Sequence, residues 1–159
     1  PGAVRVSALN AASLSPVDDA SVTLVCIDPP YYDNVMYAEL ADFFYVWERR
    51  TLGLIHPDLF ADDLCDKDNE AVMNPARFAE FGRRAKHLAA QDYERKMEAI
   101  FAEAHRVLRD DGVRTVMFTH KRAEAWDTLG MALMEAGFVI ETSWPVQTER
   151  EHSLHQADK

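Results

Sequence analysis

Apolar positions along the 159-residue chain follow two rhythms: short, nearly continuous runs, and stretches in which apolar residues recur every three or four positions. The clearest run is Val22-Thr23-Leu24-Val25-Cys26-Ile27, rich in β-branched residues, which stops at Asp28-Pro29-Pro30. A run of this kind predicts a strand buried on both faces, as in a parallel sheet, with Cys26 inside. Proline cannot continue a ladder, so Asp28 is expected at the carboxyl end of that strand. Residues 113–118 repeat the pattern, with Gly112 supplying a turn just before them. Phe138-Val139-Ile140 begins a third run after Gly137, and residues 4–9 make a weaker fourth.

Helical spacing marks three further stretches. Over residues 33–52 the apolar positions are Val35, Met36, Leu40, Phe43, Phe44 and Trp47, the last three expected in the core. Over 92–109 they are Met97, Ile100, Phe101, Ala104, Val107 and Leu108; over 123–136 Trp126, Leu129 and Leu133, with Gly137 as the cap. Residues 53–91 read as an acidic loop followed by a basic, helical piece through Arg83, Arg84 and Lys86, a candidate insertion. Strands alternating with helices predict an α/β sheet. About four strands are fewer than a doubly wound sheet needs. The chain also opens at Pro1, directly before a strand-like run, and ends in polar residues. The expectation is one partial domain over 1–159, its N-terminal strands missing.

Charge narrows the choice of partners. Seventeen Lys and Arg against 27 Asp and Glu give a net charge of −10, so a nucleic acid would have to meet a local basic patch. Arg49-Arg50 and Arg83-Arg84-Lys86-His87 are the two candidates, each equally readable as a solvated helix face. Cys26 and Cys65 form no CxxC pair, which points to a reducing compartment and no zinc site. Asp62, Asp63, Asp66, Asp68 and Glu70 match a calcium loop only loosely, with Ala71 where glycine is required, and no metal site is expected. No apolar window is long enough to span a membrane and no signal peptide is evident, so a cytoplasmic location is expected.

Chemistry is expected where the first strand ends, because ligands of open α/β sheets bind outside the carboxyl ends of the strands. Asp28-Pro29-Pro30-Tyr31 has that address, although a proline pair also simply stops a strand and an aspartate also simply caps a turn. An Asp-Pro-Pro-Tyr sequence after a hydrophobic strand resembles the catalytic motif of the amino-methyltransferases. The block from Asp28 through Tyr31, Tyr32, Asp33, Tyr37, Phe43 and Phe44 to Trp47 resembles a narrower group. These are the large prokaryotic adenine-specific DNA methylases with an N-terminal domain of unknown function. The resemblance continues through residues 106–113, 117–121, 125–126 and 143–149, and is weakest over 53–91.

That resemblance implies a Rossmann-like sheet, S-adenosylmethionine as methyl donor, and the N6 amine of an adenine extruded from DNA as acceptor. Asp28, Pro29, Pro30 and Tyr31 are the catalytic residues it implies. An aromatic amine is a poor nucleophile because its lone pair is delocalised into the ring. A carboxylate accepting one N–H and the Pro29 carbonyl accepting the other would draw the nitrogen toward tetrahedral geometry and stabilise the developing positive charge. Tyr31 would offer a stacking face worth about 1–3 kcal/mol; Tyr32 and Tyr37 would extend that platform or belong to the core. The cofactor is implied to touch Asn10, Ala11 and Asp28, with Asn10 standing where the group has an acid; the bare reading of Asn10 is a capped polar loop. The glycine-rich loop that receives the cofactor's methionine end has no counterpart, since the six glycines lie at 2, 53, 82, 112, 130 and 137. His120, after the second strand, would line the base pocket, touch phosphate or sit at a solvated strand end. The leading expectation is an adenine-specific DNA methyltransferase, this chain inactive alone. The alternatives are cytosine N4, RNA or protein as substrate, or a catalytically silent module that binds nucleic acid or protein.

Overall fold

Val22–Ile27 forms strand β1 and pairs in parallel with β2, Leu108–Val116. The long crossover contains helix α1 (Tyr37–Leu52), 3-10 turns at Pro57–Leu59 and Pro75–Arg84, and helix α2 (Ala85–Val107); α3 (Ala123–Glu135) follows β2. The structure, a computed structural model, describes residues 3–4 and 9–146. The architecture is mixed α/β, with a two-stranded parallel sheet among the described residues.

Helix α2 is the element on which the others pack. Its apolar positions recur at intervals of three and four, which places Ala89, Tyr93, Met97, Phe101, Ala104 and Val107 on one buried face. Ala125, Leu129, Ala132 and Leu133 of α3 close over them. Burial of each large side chain in this cluster contributes about 1.5–3 kcal/mol. Helix α2 begins earlier than the expected residue 92, because the basic residues after Arg84 continue into it without a break. Residues 53–91 thus hold the 3-10 turn Pro57–Leu59, an irregular acidic loop, the kinked 3-10 stretch Pro75–Arg84 and the first turns of α2.

The sheet is covered on one face only. Ile27, Val116 and Phe118 pack on the helical core, whereas Leu24, Cys26, Val113 and Met117 face away and are exposed. The expectation of a strand buried on both faces, with Cys26 inside, is therefore corrected: no described element lies over the second face. The register also jumps, pairing Val22 with Leu108 but Leu24 with Val113. Residues 109–112 arch out as a bulge, and Gly112 lies within it rather than in a turn ahead of the strand. A Cβ there would fall 2.7 Å from the Leu108 side chain.

Two expectations fail for identifiable reasons. Residues 138–140 form no strand. Gly137, at φ 91°, sits at the C′ position of α3, its N–H donates to Met134 O at 3.0 Å, and the Phe138 N–H reaches Leu133 O at 3.0 Å. This Schellman closure turns Phe138 back onto the core and leaves Val139 and Ile140 in solvent. Helix α1 begins at Tyr37 rather than 33, and Phe43, Phe44 and Trp47 are exposed rather than core. Its polar face is the one that is held. Glu70 accepts from the Ala38 N–H, Asn74 donates to Glu39, Asp42 pairs with Lys67 at 2.7 Å, and the Tyr45 hydroxyl donates to Asp62 O. The strand expected over residues 4–9 falls largely outside the described residues.

Two buried charges stand out. Arg114 lies between Phe101 and Phe138, its guanidinium carbon 4.0 and 4.6 Å from their ring centroids. Its nitrogens have no hydrogen-bond partner among the described residues, and burial pulls it down to about 10. Asp92, by contrast, is saturated, meeting Arg77 at 3.1 Å, Arg95 at 2.6 Å and Lys96 at 2.7 Å. Burial acts to raise Asp92, but hydrogen bonds from Lys96 and Arg95 and the charges of Lys96 and Arg77 prevail and hold it below the ordinary 3.8.

Gly137→Ala forces a Cβ into a left-handed conformation 3.2 Å from His105 Nε2, and should lower unfolding free energy in urea by about 1–2 kcal/mol. Asp92→Asn takes the shared carboxylate from Arg77 and Lys96, which keep Asp68 and the Asp68 and Glu70 carbonyls, and should cost about 1–2 kcal/mol at neutral pH. Because Asp92 titrates lower folded than unfolded, its contribution is full above about pH 4. It is lost as the pH falls through the lowered value, so the acid limb of a urea-midpoint curve should be steeper in the wild type than in Asp92→Asn.

Candidate active site at the strand ends

Both strands point their carboxyl ends at the same place. Asp28 follows β1 directly and is exposed, while Pro29 beside it is buried. The loop then turns on a cluster of hydrogen bonds. The Pro30 carbonyl accepts from the Tyr32 N–H at 3.0 Å and from the Tyr93 hydroxyl, projecting from α2, at 2.9 Å. Asn34 N–H returns to Tyr31 O at 3.0 Å, and Met73 N–H reaches Tyr32 O at 2.9 Å. Tyr32 holds a left-handed backbone, φ 56°, which a bulky residue adopts only when its surroundings impose it. Its ring is buried, edge-on to Tyr93 at 5.1 Å and to His120 at 5.8 Å, with the Arg122 guanidinium 5.5 Å above it. Burial pushes the Tyr93 hydroxyl up to about 12 and raises Tyr32 as well, so both are donors at neutral pH.

Tyr31 is placed differently. Its hydroxyl donates to Asp28 Oδ1 at 2.5 Å, and its half-buried ring meets Phe118 edge-on at 5.4 Å. The acid, the proline pair and the aromatic ring named from sequence are thus brought together. Of the residues offered as extensions of the platform, Tyr32 is core and Tyr37 is exposed at the start of α1.

The structure does not bring Asn10 and Ala11 to this cluster. They lie in an exposed turn in which Asn10 Oδ1 accepts from the Ala12 N–H at 2.9 Å. The segment that follows is tied to the far end of α2. Leu14 N–H donates to Glu103, and Arg106 donates to Leu14 O and Val17 O. That anchorage is ten residues, about 15 Å along the helix, from Tyr93. Glu103 is itself drawn down to about 2 by hydrogen bonds from Arg106 and Leu14. The Asn10 carbonyl oxygen is thus already engaged within its own turn.

His120 is not a solvated strand end. Its side chain is 9% exposed and bonded to Asp33 at 3.1 Å. Among the basic clusters, Arg49 is committed to Asp63 and Arg50 stacks on Trp47, while Arg83, Arg84, Lys86 and His87 line an exposed patch where α2 begins. Sequence reasoning missed Tyr93, Asp33 and Arg122. Tyr93 was not among the apolar positions read for residues 92–109, and nothing local in the sequence marks the partners of the other two. No protein-family model, curated protein or solved structure matches the chain.

Tyr93→Phe removes the buried donor to Pro30 while keeping the ring. It should lower stability by about 1 kcal/mol in urea denaturation and speed hydrogen exchange at Tyr32 and Asn34 more than in the rest of α2.

Proposed function

We propose that this chain carries the amine-binding part of a cytoplasmic, S-adenosylmethionine-dependent DNA methyltransferase with a Rossmann-like sheet, acting on the N6 amine of an extruded adenine. The observation that supports this reading most is the arrangement of Asp28. It is an exposed carboxylate at a parallel-strand end, on a loop that Tyr93 fixes through Pro30, with the Tyr31 hydroxyl resting on the oxygen an amine would need. S-adenosylmethionine, when bound, supplies an electrophilic methyl group.

The chain's own residues handle the acceptor. An incoming amine displaces the Tyr31 hydroxyl from Asp28 Oδ1 and donates one N–H there; the Pro29 carbonyl takes the other. Charge-assisted bonds of this type contribute about 1.5–3 kcal/mol each. Were a methyl group transferred to it, the nitrogen would become cationic, and Asp28 would be the acceptor placed to stabilise that charge and take the proton. The Tyr31 ring, still packed edge-on against Phe118, offers a face to the base, recovering energy spent on extrusion. Arg83, Arg84, Lys86 and His87 are the residues to meet phosphates despite the overall negative charge. Preference for adenine over cytosine rests on the resemblance of residues 28–47, because the same acceptors serve either amine.

The test expresses the full natural gene, with an Asp28→Ala copy beside it, in a methylation-free host and weighs nucleosides from DNA and RNA by mass spectrometry. N6-methyladenine in DNA that falls by roughly 10²–10³-fold in Asp28→Ala is the expected result. The same loss in N4-methylcytosine or in RNA corrects the substrate. No new methyl nucleoside from a folded, full-length protein overturns the reading and leaves a protein substrate or a silent binding module.

A further inference from the structure

The two strand-end loops are joined by side chains that the amine chemistry does not use. His120 Nδ1 accepts the Arg122 N–H at 3.1 Å, so in the neutral ring the proton resides on Nε2, which donates to Asp33 Oδ1 at 3.1 Å. The Arg122 guanidinium pairs with the other Asp33 oxygen. The His120 carbonyl in turn accepts from Trp126 Nε1 at 2.9 Å, which fixes the imidazole against the start of α3. Phe118 and His120, two residues apart and on the same side of their strand end, meet successive rings of the other loop, Phe118 against Tyr31 and His120 against Tyr32.

We propose that Asp33, His120 and Arg122 form a positioning latch that holds Tyr31 against Asp28; this rests on the amine-binding reading above. The main-chain anchors end at residues 30 and 32, where Tyr93 and Met73 hold the loop. Beyond Tyr32, the Asp33 carboxylate is the next side-chain tie, and the following one is Glu70 at Ala38. The left-handed Tyr32 is the last residue of the first set, directly before Asp33. Releasing Asp33 lets that backbone relax toward an ordinary conformation and swings Tyr31, its immediate neighbour, away from Asp28. His120 therefore acts through Asp33 and never touches the amine.

The test compares the full-length natural protein with His120→Ala, His120→Gln and Asp33→Asn, each first shown to keep its melting transition. Glutamine places an N–H donor where Nε2 stands. Amide exchange at Tyr32 and Asn34 should quicken by roughly 10–100-fold in His120→Ala, the factor for one lost charge-assisted bond. It should return close to wild type in His120→Gln and be intermediate in Asp33→Asn. Methyl transfer should follow the same order through kcat, with the KM for S-adenosylmethionine unchanged. Unaltered exchange in a folded His120→Ala overturns the latch, as does failure of glutamine to restore it. Exchange that follows the predicted order in a protein that transfers no methyl group upholds the latch and defeats only the amine reading.

Discussion

A buried tyrosine hydroxyl must find an acceptor, and Tyr93 finds the carbonyl of Pro30. Much of the structure depends on that bond. Prolines 29 and 30 have no N–H of their own, so they end β1 without any backbone donor to hold the chain beyond it. Tyr93 supplies one from the middle of the helix on which the whole core packs. The loop carrying Asp28 and Tyr31 is thereby tied to α2 as well as to the residues after β2.

The same helix supports the loop indirectly. Asp92, adjacent to Tyr93, gathers Arg77 and Lys96, and Lys96 also donates to the carbonyls of Asp68 and Glu70. Those carbonyls begin the buried stretch Ala71, Val72 and Met73, and Met73 donates to Tyr32. A chain of bonds thus runs from a buried carboxylate to the left-handed residue beside the candidate site. The open sheet face, with Leu24 and Val113, and the outward face of α1, with Phe43, Phe44 and Trp47, contribute little to this support; their apolar surface remains in water.

What the sequence revealed follows from which forces are local. The 3.6-residue stripe of α3 and Gly137 at its end made that helix readable to within a residue. The stripe of α2 gave its body but not its start, which lies at Ala85 rather than residue 92. The position of Asp28 was readable because two prolines cannot extend a strand. What escaped was decided by competition between distant segments. The stripe of α1 reads as core, yet Glu70, Asn74 and Lys67, all beyond the helix, hold the opposite face. Phe138-Val139-Ile140 reads as a strand, yet the helix closure claims Phe138 first. Asp33 meets His120, and Tyr93 meets Pro30 and Tyr32, only across the crossover, and no local spacing encodes such meetings.

The central claim is that Asp28 accepts a hydrogen bond from the target amine. The direct measurement is NMR of DNA carrying an adenine labelled with ¹⁵N at the exocyclic amine, titrated with the full-length natural protein and with Asp28→Asn. The account predicts two resolved amino protons, one moved strongly downfield with the wild type and returned toward its free position with Asp28→Asn while the DNA stays bound. An amino signal that binding leaves unchanged, or that is the same for both proteins, would contradict it.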